Sequence, residues 1–278
     1  MSEKHVLGIS GGKDSAALAI YMNLYYPELD IEYFFTDTGK ELPEVYSYLG
    51  KLEGFLGKKI KRLNSKRGFD FWLEEYGNFL PSAQTRWCTR QLKLLPFKRW
   101  VNNMLDQGDK VYSYVAIRAD EDSRQGYVSH HKNLHIKMPF KEDGYNKAAV
   151  FDLLESSGVG IPKYYEWRSR SGCTFCFFQQ KIEWVNLKER HPIAFEEAKA
   201  YEKKAIENQS PFLWTQGESL AELEKPQRIS QIKSDFEARK LREKKNQPIN
   251  PLHEGLEFDI DELYFSEEGN GACNICHK

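Results

Sequence analysis

Long apolar runs are missing from this 278-residue chain. No stretch approaches eighteen apolar residues, which excludes a membrane-spanning helix. The first five residues, Met-Ser-Glu-Lys-His, lead straight into a strand-like run without the apolar segment and small-residue cleavage site of a signal peptide. A cytoplasmic location with no membrane partner is therefore expected. A strong charge of either sign is missing too: the formal net charge is −1. A protein that grips nucleic acid over its whole surface is strongly basic, so any such contact must be local or shared with a partner protein. There is no internal repeat and no low-complexity segment. Two common nucleotide fingerprints are also absent, the Gly-x-x-x-x-Gly-Lys-Ser/Thr loop and the Gly-x-Gly-x-x-Gly turn.

What is present is enough for a core. The chain is 40% hydrophobic and 14% aromatic, well above what a disordered chain carries. Residues 5–9 (HVLGI) read as a buried strand and 16–26 as a helix. Residues 31–36 (IEYFFT) read as a second strand, 42–56 as a helix and 59–63 as a third strand. Residues 111–117 (VYSYVAI) form the next strand. Such alternation predicts an α/β fold with an open, mainly parallel twisted sheet and helices on both faces. Residues 148–156 read as helical. Residues 183–207 read as one long helix interrupted near Pro192, and 218–245 are charged and helix-prone. A change of character near residue 145 suggests a nucleotide-binding domain (1–145) followed by a helical, cysteine-bearing C-terminal portion (146–278).

The segment Ser10-Gly11-Gly12-Lys13-Asp14-Ser15 lies between the first strand and the first helix. Two glycines let backbone amides approach a phosphate closely. A helix N-terminus favours an anion, Lys13 adds positive charge, and Ser10 and Ser15 offer hydroxyls. Asp37 and Thr38 end the second strand, and Arg118, Asp120 and Arg124 follow the fourth. Ligands of open α/β sheets sit at strand carboxyl ends, so these residues are candidates for the same crevice. Arg118 could hold a phosphate or sulfate, and Asp120 magnesium or a ribose. A turn aspartate at Asp37 and a salt-bridge cluster at Arg118 are the plainer alternatives.

Five cysteines are present, Cys88, Cys173, Cys176, Cys273 and Cys276, four of them in Cys-x-x-Cys pairs. In a reducing compartment such pairs are metal ligands or redox groups more often than disulfides. Arginines and aromatics crowd Cys88 and the Cys173/Cys176 pair, which suits an anionic iron–sulfur cluster with Cys273 or Cys276 as a fourth ligand. Zinc held by the two pairs is the alternative. The terminal Cys-Asn-Ile-Cys-His also matches a haem-attachment string, although a persulfide-carrying or redox tail fits better without an export signal.

SGGKDS, the Thr36-Asp37-Thr38-Gly39 strand end, WCTRQLKLLP at residues 87–96, IRADEDSR at 117–124 and SGCTFC at 171–176 occur in that order. Together they resemble the phosphoadenosine phosphosulfate reductase family, within the adenine nucleotide alpha hydrolase-like, PP-loop ATP pyrophosphatase group. The nearest branch is the one linked to DNA phosphorothioation. The resemblance covers roughly residues 5–215. It implies phosphate binding by residues 10–15 and a cluster, of the 4Fe-4S type, on Cys88, Cys173 and Cys176. Reductases of the family carry a degraded loop and end in Glu-Cys-Gly. Here the loop is intact and the tail differs, which favours ATP use.

The implied activity is ATP-driven sulfur transfer. ATP and Mg2+ would bind at the loop, with Lys13 and Asp14 as catalytic residues. An acceptor, such as a nucleic-acid backbone phosphate, would be adenylated. Sulfur from a cysteine desulfurase or another donor would then displace AMP, with Cys273 or Cys276 as a possible carrier. The rival readings are a phosphoadenosine phosphosulfate reductase that uses a tail thiol, and a non-catalytic nucleotide-binding subunit of a larger complex.

Overall fold

The computed structural model describes residues 2–121, 124, 126 and 129–246, with the side chains of 243–246 outside the description. Cys273 and Cys276, together with the acidic tail, lie outside the described residues.

Five parallel strands form one open sheet in the order β3-β2-β1-β4-β5. They are β1 (Glu3–Gly8), β2 (Ile31–Asp37), β3 (Lys61–Asn64), β4 (Lys110–Tyr114) and β5 (Leu134–Lys137). Helix α1 (Lys13–Tyr25) joins β1 to β2, and α2 (Pro43–Leu56) joins β2 to β3. The chain then returns to the other side of β1 through α3 (Phe69–Glu75), a π-helical turn at Thr89–Leu94 and α4 (Leu95–Asp106). After β5 come α5 (Pro139–Glu142), α6 (Lys147–Ser156) and a 3-10 turn at Lys163–Glu166. The chain continues through α7 (Lys181–Arg190), α8 (Pro192–Glu207), α9 (Leu220–Leu223) and α10 (Pro226–Asn246). The first crossovers step one way from β1 and the next lands on its other side. The carboxyl ends of β1 and β4 therefore flank the switch point, where a parallel sheet opens a ligand crevice.

Successive strand residues face opposite sides of a sheet, so each strand supplies two cores. On one side Val6, Phe34, Leu63 and Val111 meet Phe97, Val101 and Met104 of α4. Phe34 stacks on Phe97 with ring centroids 5.0 Å apart. On the other side Leu7, Tyr33 and Phe35 meet α1, α2 and α6. That second cluster continues without a break across residue 145 to Phe175, Trp184, Phe195, Trp214 and Ile232, so the C-terminal helices extend the core begun by the sheet. No helix among the described residues is long and apolar enough to cross a membrane.

The elements depart from the sequence-based expectations in four places. Helix α1 begins at Lys13, directly after its cap Gly12, not at residue 16. Strand β4 stops at Tyr114, the last residue paired with β5, and residues 115–117 stay buried while leaving the sheet. The helix expected over 183–207 breaks at Pro192 as its sequence suggested, and its first part begins earlier, at Lys181. Pro192 has no N–H to donate, and the residue before a proline avoids the helical region, so His191 takes φ −134° and ψ 63°. The helix-prone stretch 218–245 likewise divides into α9 and α10.

Helix α10 is fastened by charge. Glu218 accepts from Arg228 Nε and NH2 at 2.8 and 2.7 Å, and Lys181 Nζ lies 2.5 Å away. These hydrogen bonds, Arg228's first, hold the Glu218 carboxyl down at about 2. A carboxyl lowered in the folded state stabilises the fold above its unfolded pKa, and that stability is lost as pH falls through the folded value. We therefore expect Glu218→Gln to be less stable than the natural chain at neutral pH. The difference should shrink between about pH 4.5 and pH 2 in denaturant titrations. A difference that does not vary with pH would contradict the assignment.

Candidate active site

The phosphate loop sits at the carboxyl end of β1, where Ile9 still donates to the Phe34 carbonyl at 2.7 Å. Gly11 has φ +78°, in the left-handed region, and a Cβ there would lie 2.7 Å from Val45 Cγ1, so only glycine fits. Gly12 caps α1. The Ser15 hydroxyl knits the turn together, 2.9 Å from Ser10 Oγ and donating to the Gly12 carbonyl at 3.1 Å. Lys13, buried to 1% exposure, lies with its ammonium 5.0 Å from the Tyr165 ring centroid and 5.5 Å from that of Phe151.

Asp14 and Arg118 join the loop to the end of β4. Arg118 NH1 donates to Asp14 Oδ1 and Nε donates to Asp120 Oδ1, both at 2.9 Å. Burial alone would push the guanidinium pKa down, but Asp14, Glu121 and Asp120 outweigh it and hold the value up. Arg124 pairs with Glu121 at 2.6 Å. Arg118, Asp120 and the loop are thus brought together as the sequence suggested, with Arg118 and Asp14 as a buried pair.

Asp37 and Thr38 take other partners. Asp37 Oδ1 accepts from the Gly39 amide and the Tyr46 hydroxyl, both at 2.8 Å. Thr38 Oγ1 donates to Glu41 Oε1 at 3.0 Å and lies 3.2 Å from Cys173 Sγ. Cys173 comes to this strand end because its segment is stitched to it. The Thr174 amide and hydroxyl both donate to the Lys40 carbonyl, at 2.7 and 2.8 Å, and Glu41 forms an isolated β-bridge with Cys173.

Cys88, Cys173 and Cys176 are free thiols, and Cys176 interacts electrostatically with both Cys88 and Cys173. Burial pushes Cys88 up to about 12, and Cys176 adds to that while Lys93 opposes it. Burial, then Glu41, pushes Cys173 well above the usual thiol range. The π-helical turn after Cys88 carries Lys93 to 4.0 Å from Glu41 Oε1. Such widened turns recur at functional sites. Among the described residues, no three His, Cys, Asp or Glu side chains are arranged to hold a single metal ion.

Several residues of the site were not singled out in the sequence. Tyr164 donates to the Gly11 carbonyl at 2.7 Å, the Lys13 amide points at Tyr165 OH at 3.4 Å, and Ser171 Oγ lies 3.5 Å from Ser10 Oγ. The segment 164–176 therefore covers the loop at one end and carries the cysteine pair at the other. Within it, Arg168 is fully buried and donates from NH2 to the Cys173 carbonyl at 2.6 Å. A charged residue inside the aromatic run YYEWRSR was the available signal. Glu41 and Lys93 gave none, because their meeting depends on long-range folding.

Removing one partner of a buried ion pair leaves an uncompensated charge. Asp14→Asn should therefore lower the unfolding free energy by about 3 kcal/mol in urea titrations, with Arg118 left to Asp120 alone. An unchanged transition midpoint would show that the pair does not anchor the loop.

Comparison with known proteins agrees with this geometry. Residues 4–140 match the phosphoadenosine phosphosulfate reductase domain. An uncharacterized protein of Methanocaldococcus jannaschii is 31% identical over 198 residues. That match takes in 69% of this chain and 40% of the relative, so the chain spans well under half of that protein's length. The phosphoadenylyl-sulfate reductase of Candida auris, solved as a phosphate complex, aligns with a TM-score of 0.48 at 12% identity. The alignment covers 61% of this chain and 81% of that one. The U34-tRNA thiolase NcsA from Methanococcus maripaludis, solved with its 4Fe-4S cluster, aligns at 0.41 and 14% identity, covering 73% and 71% of the two chains. Residues 4–140, with their loop at the switch point of a parallel sheet, are thus a phosphoadenosine phosphosulfate reductase domain.

Proposed function

We propose that this chain binds ATP at residues 10–15, cleaves it between the α and β phosphates to adenylate an acceptor, and directs sulfur to the adenylated position. The observation that carries this reading is the intact phosphate loop, joined by a single covering segment to the Cys173/Cys176 pair, with the Cys88 thiol interacting with Cys176. A loop with Lys13, Ser10 and Ser15 in place suits a polyphosphate leaving group. A reductase that only reads a bound sulfonucleotide would not require it.

In the proposed reaction an acceptor oxygen attacks the α-phosphorus. The bond to the bridging oxygen breaks and pyrophosphate leaves, its charge met by the Lys13 ammonium, the loop amides and Mg2+. Asp14 acts through Arg118, which fixes the loop against β4. A sulfur nucleophile from a cysteine desulfurase or another donor then displaces AMP, leaving sulfur on the acceptor. We take the acceptor to be a nucleic-acid backbone phosphate, as in DNA phosphorothioation, presented with the help of a partner protein because this chain is nearly neutral.

The thiols suit an iron–sulfur cluster better than a lone ion. Zinc on the two Cys-x-x-Cys pairs would take two of its sulfurs from Cys273 and Cys276, outside the described residues, and would leave Cys88 over. A cluster spreads its thiolate ligands over several irons, and it would use Cys88 together with Cys173 and Cys176, with Lys93 acting on both Cys88 and Cys173. A cluster on three thiolates supplies an iron position for sulfur. The alternative is Cys273 as fourth ligand with Cys276 as the catalytic tail thiol; without that ligation either Cys273 or Cys276 is free to be the tail thiol, in residues outside the description. The localisation we propose is cytoplasmic.

The test is pyrophosphate release from ATP by anaerobically purified chain, with oligonucleotide acceptor and sulfide. Lys13→Ala and Asp14→Ala should each lower the rate about 100-fold or more, within the range seen when a transition-state donor is removed. Sulfite made from phosphoadenosine phosphosulfate, unaffected by Lys13→Ala but abolished by Cys273→Ala or Cys276→Ala, would instead establish the reductase reading. Tight ATP binding without turnover in any combination would leave a nucleotide-binding subunit.

A further inference from the structure

The two buried guanidinium groups of this fold are met in opposite ways. Arg118, at 8% exposure, has Asp14 and Asp120 at 2.9 Å. Arg168, at 0%, has no carboxylate within ion-pair distance among the described residues. Its NH2 donates to the Cys173 carbonyl, while Nε and NH1 have no acceptor among the described residues. Those two nitrogens carry three of the five guanidinium N–H donors. Guanidinium does not deprotonate in proteins, so the group cannot escape by becoming neutral. An uncompensated buried charge with unmet donors is strongly destabilising, and its retention calls for an anion that the described residues do not supply.

The surroundings say which side that anion lies on. The cysteine loop wraps the guanidinium: besides the Cys173 carbonyl, the Cβ position of Gly172 is 3.6 Å from NH2 and 4.0 Å from Cys176 Cβ. Nearby carboxylates are engaged elsewhere. Glu183, also fully buried, accepts from the amides of Ser169 and Gln180 at 2.6 and 2.9 Å. Glu41 is met by Thr38 at 3.0 Å and Lys93 at 4.0 Å. On the other side of the covering segment, the phosphate loop has its own cation in Lys13. The unmatched positive charge therefore belongs to the thiol side.

We propose that Arg168 is the counter-charge and hydrogen-bond donor for an anionic metal–sulfur group carried by Cys173 and Cys176 with Cys88. This rests on the cluster reading above and extends it to a residue that is not a ligand. Such a group is anionic, and the Arg168 guanidinium, held against the Cys173 carbonyl with donors to spare, lies on its side of the covering segment to offset that charge. Hydrogen bonds and charge around a cluster's sulfurs set its reduction potential.

The test uses the full chain, reconstituted anaerobically with iron and sulfide. Arg168→Gln should retain iron about 10–100-fold less well against a chelator, the usual cost of losing an outer-shell partner. Its cluster should have a more negative midpoint potential, because a nearby positive charge favours the reduced form. Arg168→Lys keeps the charge but loses the fork, so it should recover most of the potential and only part of the retention. Titration with ATP should give the natural affinity in both variants. Wild-type chain that holds a cluster, with Arg168→Gln equal to it in retention and potential, would overturn this inference alone. So would an unchanged cluster with weakened ATP binding, which would place the anion on the nucleotide. Wild-type chain that takes up no iron would overturn the cluster reading and this inference with it. If Arg168→Gln does not fold, as judged by circular dichroism, Arg168→Lys decides: iron retention equal to wild type overturns the proposal.

Discussion

The docking of residues 164–176 onto two strand ends is the constraint on which the rest of the site depends. At one end Tyr164 closes on the Gly11 carbonyl; at the other Thr174 spends both its amide and its hydroxyl on the Lys40 carbonyl. The first contact fixes the segment to the phosphate loop after β1, the second to the turn after β2. Without them the Cys173/Cys176 pair would have no fixed relation to a bound nucleotide. With them, the phosphate loop and the cysteine pair are held at the two ends of one segment.

Low dielectric makes that space sensitive to charge. Away from water an ion is costly unless an opposite charge or a set of hydrogen bonds meets it. The loop satisfies this with the Asp14–Arg118–Asp120 array, and the Glu41 carboxylate is met by Thr38 and Lys93. Burial pushes the Cys88 and Cys173 thiols up, and among the described residues the Arg168 guanidinium beside them has no carboxylate to meet it. The charge pattern thus fits a protein completed by a bound group, with the helical C-terminal portion acting as a wall of the same core.

Much of the nucleotide half was legible in the sequence. β1 and β2 are short runs rich in β-branched and aromatic residues, bounded by glycine and aspartate, and both occur where expected. The SGGKDS string places the loop because its glycines carry local conformational information, as the positive φ of Gly11 shows. β5 was not legible: Leu-His-Ile-Lys is a four-residue edge strand with little apolar content. Helices α3 and α4 were not expected either. The first is only seven residues long, the second grows out of a π-helical turn, and neither starts with a side-chain cap. Arg168 stood out only as a charge inside an aromatic run, and Glu41, Lys93 and Tyr165 could not be read as a site. The roles of these three come from contacts between residues 41 and 173, 41 and 93, or 13 and 165, which no local pattern encodes.

Hydrogen–deuterium exchange with and without ATP and Mg2+ tests the coupling most directly. If the covering segment joins the two halves of the site, nucleotide binding must alter amide exchange at residues 163–176 as well as at residues 10–15, with the remaining helices unchanged. Protection confined to residues 10–15 would contradict the coupling, because the thiols and the nucleotide would then be neighbours without a shared mechanism.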